Sequence, residues 1–200
     1  MSDKNGWVEA WEAGRTPWDT GQAAGALVEL VEGGTLPEGR ALVPGAGSGY
    51  DVLALASPTR EVIGLDLAEG AKQRFEGLRD EAGISAEQAK LVVANFFDYQ
   101  PDAPFDMIWD FTFLCALEPE MRGDWARRMD ELLAPGGELV TLIFPGVDKA
   151  PDDGPPYAMS PELVRGILEP KFEAYFLEPT PSTHPGFVNA KAWIARWRRA

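Results

Sequence analysis

Gly45, Gly47 and Gly49 alternate with Ala46 and Ser48 directly after the apolar run Ala41-Leu42-Val43-Pro44. A second apolar run, Val62-Ile63-Gly64-Leu65, ends in Asp66. Glycine lets the main chain turn sharply, and without a Cβ it lets a ligand lie against the backbone. A carboxylate at the end of the second strand can accept the hydrogens of both ribose hydroxyls. The spacing therefore predicts a strand, a glycine turn, a helix, a second strand and a ribose-binding acid. Together these call for a nucleoside-containing cofactor. A glycine turn alone also describes an ordinary strand-to-helix connection, and the placement of Asp66 is what favours the ligand reading.

The turn reads G-x-G-x-G, whereas the dinucleotide fingerprint is G-x-G-x-x-G. Asp51 follows in the first turn of the expected helix, where its charge would repel a pyrophosphate. A cofactor without phosphate is expected instead. S-adenosylmethionine has adenosine, an amino-acid tail and a sulfonium, and Gly45, Gly47, Asp66, Leu67 and Asp110 are the polar and backbone groups expected around it. Downstream, Leu133-Ala134-Pro135-Gly136-Gly137 followed by the β-rich run 138–144 resembles a recurring element of class I methyltransferases. The run Phe105-Asp106-Met107-Ile108-Trp109-Asp110 resembles their fourth strand.

These groups need a scaffold, and the periodicity supplies one. Helices are expected over 7–13, 22–31, 50–56, 68–81, 119–133 and 161–168, with Pro119 early in its helix. Strands are expected over 40–43, 61–65, 90–94, 106–109, 138–144, 171–177 and 192–197, and Pro-Gly-Gly reads as a turn before the fifth. Strands alternating with helices imply an α/β, Rossmann-like, doubly wound sheet of seven strands. The last two strands have no helix between them, so the sheet is mostly parallel with an antiparallel last strand. One domain over 1–200 is expected, with a helical cap over about 5–33.

The opening Trp7-Val8-Glu9-Ala10-Trp11-Glu12-Ala13-Gly14-Arg15-Thr16-Pro17-Trp18-Asp19-Thr20-Gly21 carries a more specific resemblance. With Cys115-Ala116-Leu117-Glu118-Pro119-Glu120, Gly154-Pro155-Pro156-Tyr157 and Ala195-Arg196-Trp197-Arg198, it resembles the thiopurine S-methyltransferase superfamily, in particular its methyl halide and thiol methyltransferase branch. The resemblance implies that Trp7, Trp11 and Trp18 close over the cofactor, that Gly45 opens its turn and that Asp66 holds its ribose. It places Asn95 and Phe96 beside the adenine. Asn95 stands where the family has Asp, and its amide oxygen can still accept from the adenine amino group. Phe111 stands where plant members carry Tyr next to the methyl group, and Ala46 and Tyr50 replace their common Cys and His.

A sulfonium is an activated methyl donor, and an anion such as halide, thiocyanate or hydrosulfide needs no general base. The protein is left to supply proximity, in-line orientation and removal of water. Aromatic faces also hold a sulfonium by cation–π attraction, about 0.5–2 kcal/mol per contact. A dry pocket over the methyl group is expected, lined by the catalytic candidates Trp18, Phe111 and Tyr157, with the Tyr157 hydroxyl orienting the nucleophile. Larger thiols, thiopurines or a metalloid oxyanion are alternative acceptors. A nicotinamide oxidoreductase or a non-catalytic binding module for S-adenosylmethionine are alternatives from other classes.

Several residues also have plainer readings. Trp7 and Trp11, four apart, equally suit a helix packed on a core. His184, the one histidine, lies in the turn-rich stretch 181–186 and is expected to be solvated or structural. Cys115, the one cysteine, is expected as a small buried hydrophobe and excludes an intramolecular disulfide. No His, Cys and acid cluster has metal-ligand spacing, so no metal is expected. The net charge of −14, without Lys or Arg clusters, argues against nucleic acid. The polar stretch 1–6 does not read as a signal peptide, and no run approaches the ~20 apolar residues that span a bilayer. The chain is therefore expected in the cytoplasm, as a monomer or weak dimer, acting on a small-molecule or inorganic anion substrate without membrane partners.

Overall fold

A computed structural model describes residues 4–182 and 184–200. The first three residues of the polar stretch 1–6, and Thr183 of the turn-rich stretch, lie outside the described residues. One sheet carries all seven strands: β1 (Gly39–Pro44), β2 (Arg60–Asp66), β3 (Ala89–Val93), β4 (Phe105–Phe111), β5 (Leu133–Gly146), β6 (Phe172–Thr180) and β7 (Lys191–Arg199). Their order is β3-β2-β1-β4-β5-β7-β6. The strands from β3 through β5 pair in parallel, and β7 enters between β5 and β6 antiparallel to both. The expected antiparallel closing strand is thus present.

The helices are α1 (Lys4–Glu12), α2 (Gly25–Glu32), α3 (Tyr50–Leu55), α4 (Glu69–Glu81), α5 (Arg122–Leu132) and α6 (Pro161–Leu168). Parallel strands are covered on both faces, which is why β1 and β2 read as unbroken apolar runs. On one face Leu42, Ile108 and Leu139 pack with Trp125 and Met129 of α5 and Leu168 of α6. On the other, Ala41, Val43, Met107 and Val140 pack with Leu27 of α2, Leu55 of α3 and Phe75 of α4. The change of winding direction falls between β1 and β4, so a crevice opens at the carboxyl ends of those strands.

Two expected boundaries differ. The single helix over 119–133 is a 3₁₀ turn, Pro119–Met121, followed by α5. Pro135-Gly136-Gly137 lies inside β5 as an irregularity: Leu133 pairs with Phe105, and pairing resumes at Glu138 with Met107. Gly137 is pressed against β4, where a Cβ would stand 2.9 Å from the Phe105 carbonyl oxygen. β7 is fastened to β5 by the buried Arg196–Glu138 ion pair and by Trp197 Nε1 donating to Thr141 Oγ1 at 2.9 Å.

Candidate active site

The turn after β1 lies against the end of β2. Gly45 and Gly47 adopt φ of 60° and 55°, a left-handed backbone that side chains disfavour. A Cβ on Gly45 would stand 2.5 Å from the Phe113 ring. Gly47 faces open space, and its N–H donates to Asp66 Oδ2 at 2.9 Å. Asp66 Oδ1 accepts from the Ala68 N–H at 3.1 Å. The Leu67 backbone also acts on this carboxylate, so backbone donors hold it at the crevice with acceptor capacity left over. Burial pushes the Asp66 carboxyl above the usual range, and these backbone bonds pull against it.

Asp66, Gly45 and Gly47 line a crevice. Leu67 and Asn95 form part of its wall, with Phe96 and Phe113 meeting edge-on at 5.1 Å behind. Asn95 is tied locally: its Oδ1 accepts from the Phe97 N–H at 3.3 Å and its Nδ2 donates to Asp98. Trp7, Trp11 and Trp18 complete the crevice from the N-terminal side. Trp7 and Trp18 meet edge-on at 4.9 Å, and Trp11 lies over Gly70 of α4, where a Cβ would be 3.5 Å from its ring. Asp19 ties this cap down: Oδ1 accepts from the Gly21 N–H at 2.9 Å and Oδ2 from the Ser48 hydroxyl of the glycine turn.

Trp7, Trp18 and Ala116 also wall an adjoining pocket, which Glu118 and Tyr157 line as well. Tyr157 is held by its N–H, which donates to the Cys115 carbonyl at 2.7 Å, and by Gly154, whose missing Cβ leaves room for its ring. Trp18 and Tyr157 thus face one space.

Asp110 and Phe111, both expected on the crevice, are not on its wall. Asp110 is 3% exposed and turned inward. Its oxygens accept from the Leu114 N–H at 3.1 Å and from Trp125 Nε1 at 2.8 Å, which fixes the 3₁₀ turn Leu114–Ala116. Phe111 takes the opposite face of β4, against Phe144 at 5.6 Å. The strand's two-residue alternation sends these neighbours to opposite sides, and neither side is the crevice.

Asp51 corrects a second expectation. Its carboxylate points away from the turn, accepting from the Ala24 N–H at 2.8 Å and Trp109 Nε1 at 2.7 Å. It holds α2 and α3 on the sheet and does not repel a ligand in the crevice. His184 is structural rather than solvated: it is 8% exposed, lies 5.4 Å from the Phe144 ring, and burial lowers its pKa. Cys115 is buried, and burial raises its thiol pKa far above the usual value, so it is inert at neutral pH.

Sequence reasoning missed Thr112, Phe113 and Leu117, which line the crevice. It named Asp19 only as part of a motif. Thr112 has a φ of 62°, unusual for a β-branched residue, and its hydroxyl donates to the Phe111 carbonyl at 2.6 Å. Such strain gathers where a site is over-determined. No sequence signal marks it. Among the described residues, no group of three or more His, Cys, Asp and Glu could hold a metal ion.

This sheet order, glycine turn and strand-end acid define a class I methyltransferase that uses S-adenosylmethionine. The chain belongs to the thiopurine S-methyltransferase family, whose model matches residues 2–198. It is 46% identical over 174 residues to a probable thiol methyltransferase 2 of Arabidopsis thaliana, covering 86% of this chain and 76% of that one. It is 43% identical over 204 residues to thiocyanate methyltransferase 1 of Brassica oleracea, covering 98% and 86%. Among solved structures, the 1,6-didemethyltoxoflavin N1-methyltransferase of Burkholderia thailandensis superimposes with a TM-score of 0.75 at 20% identity, covering 98% of this chain and 87% of that one.

Proposed function

We propose that this chain transfers the methyl group of S-adenosylmethionine to a small soft anion: a halide, thiocyanate or hydrosulfide. The observation that carries this reading is the aromatic pocket shared by Trp18 and Tyr157, which adjoins the crevice and has neither His184 nor Cys115 on its wall, Glu118 being its one ionisable acid. An acceptor that arrives deprotonated needs no base there. The names of the Arabidopsis and Brassica relatives support the same acceptor class.

The bound cofactor supplies an activated methyl on a positively charged sulfur. Asp66 accepts from the ribose hydroxyls, Gly45 and Gly47 let the ligand approach the backbone, and Leu67, Asn95 and Phe96 surround the adenine. Trp7, Trp11 and Trp18 close the crevice, exclude water and hold the cation. Trp18 and the Tyr157 hydroxyl orient the incoming anion. Stripping water from a small anion in a pocket with few donors makes it a better nucleophile.

A second acceptor class is a larger thiol, favoured by the opening of the side pocket beside the crevice between Trp18 and Tyr157. A panel of iodide, thiocyanate, hydrosulfide and an aromatic thiol with S-adenosylmethionine, read by gas chromatography, decides between them. Volatile methyl products from the anions support the proposal, and methylation of the aromatic thiol alone overturns it. We further read residues 1–200 as one domain, a cytoplasmic monomer or weak dimer without nucleic-acid or membrane partners; no described helix is long and apolar enough to cross a membrane.

A further inference from the structure

Buried arginines in this chain are matched with partners, with one exception. Arg60 donates to the carbonyls of Pro37, Leu55 and Leu36. Arg128 donates to the Tyr99 carbonyl and pairs with Glu131. Arg122 is 9% exposed, yet its Nε and Nη2 are buried without a hydrogen-bond partner. A buried, unmatched cation is costly, and natural proteins rarely keep one without a use. Its position adds to the cost, because Arg122 is the first residue of α5 and the positive end of a helix dipole disfavours it.

The guanidinium has one close companion that bears on the site. Its Cζ lies 5.5 Å from the centre of the Tyr157 ring. That ring forms the wall of the side pocket opposite Trp18. Arginine stays charged in folded proteins, so a fixed positive charge sits directly behind the aromatic wall. Cation–π contact draws electron density of the ring toward the guanidinium and makes the phenolic hydroxyl a stronger donor. Across the buried ring the charge is screened less than it would be in bulk solvent.

We propose that Arg122 is a specificity-determining positioning residue, which makes the Tyr157 pocket favour anionic acceptors over uncharged ones. It touches neither acceptor nor cofactor, and acts through the Tyr157 ring and the field it leaves in the pocket. Nε and Nη2 have no hydrogen-bonded carboxylate to neutralise them; Glu120 acts on the guanidinium only through space, and Glu118 on the pocket wall is the acid whose field Arg122 has to offset. The inference rests on the acceptor class proposed above.

The test uses the full chain and the Arg122→Gln, Arg122→Met and Arg122→Lys variants. Thermal melting and S-adenosylhomocysteine binding report folding and the cofactor crevice. KM and kcat are measured for iodide, for thiocyanate and for the uncharged acceptor dimethyl sulfide, whose methylation to trimethylsulfonium releases no proton, at pH 7. Loss of the charge is expected to raise KM for both anions by about tenfold or more. KM for dimethyl sulfide and affinity for S-adenosylhomocysteine should move by less than about threefold. Arg122→Lys should recover most of the affinity for anions. Met fills the space without a buried polar group, so it keeps the test readable if Gln destabilises the chain. Equal losses for charged and uncharged acceptors, or an unchanged KM for anions, overturn the inference while leaving the proposed reaction standing. A wild-type enzyme that methylates no anion overturns both.

Discussion

Two aspartates close neighbouring strands, and their partners separate their roles. Asp66 lines the crevice with its oxygens held only by backbone donors, whereas Asp110 is off the crevice wall, buried, and bonded to the Leu114 N–H and Trp125 Nε1. Asp66→Ala should therefore weaken S-adenosylhomocysteine binding by about tenfold or more, the loss expected for hydrogen bonds to a charged group; titration calorimetry would measure it. Asp110→Ala or Asn should act on stability instead. Burial raises the Asp110 carboxyl from 3.8 to about 6. The folded state then holds its proton more tightly than the unfolded chain. That contribution is fully present below about pH 4 and is lost as pH rises through about 6, a change of about 2 kcal/mol from pH 4 to pH 7. Asp110→Asn cannot lose a proton, so its deficit against the wild type should shrink by about that amount across the range. Urea denaturation at both pH values reads it, and a deficit independent of pH would mean that Asp110 titrates like an exposed carboxyl.

The glycine turn and the N-terminal cap are separate elements that share one fastening, the Ser48 hydroxyl on Asp19. Asp19→Ala also frees the Gly21 N–H, so it should loosen the cap. The loss of about 1 kcal/mol predicts cofactor binding about fivefold weaker, with faster hydrogen exchange over 7–21. In the wild type, the same exchange should slow when S-adenosylhomocysteine binds; equal rates with and without ligand would show that the cap does not close on it. This fastening also marks the limit of what the sequence reveals. The alternating glycines, the apolar strands and Asp66 are local signals, and their elements lie within a few residues of the expected places. Asp51 sits in an equally local position, at the start of α3, but its partners Ala24 and Trp109 are 27 and 58 residues away. Nothing near it in the chain tells that its charge is turned from the crevice. Phe111 fails for a different reason: strand alternation fixes which faces Asp110 and Phe111 take, but not which face opens at the strand's end. Pro-Gly-Gly reads as a turn because a bulge within a strand uses the same residues as a turn before one.

The whole chain carries a net charge of −14, while its proposed acceptors are anions. Long-range repulsion should lower the local acceptor concentration, and the local field of Arg122 acts against that only at short range. The Debye length shrinks from about 30 Å at 0.01 M to about 8 Å at 0.15 M salt. Salt should therefore screen the distant acidic residues, which lie largely at the surface, more than it screens a buried guanidinium behind Tyr157. Raising ionic strength with sodium sulfate, an anion with no soft nucleophilic atom, should lower KM for thiocyanate about two- to threefold over that interval. KM for dimethyl sulfide should stay level, since an uncharged acceptor feels no net field. In Arg122→Met the same screening should remain, because it arises from the bulk charge, but it should start from a higher KM. A KM for thiocyanate that rises with salt in the wild type would mean that the pocket's own positive field, rather than the acidic surface, governs how anions arrive.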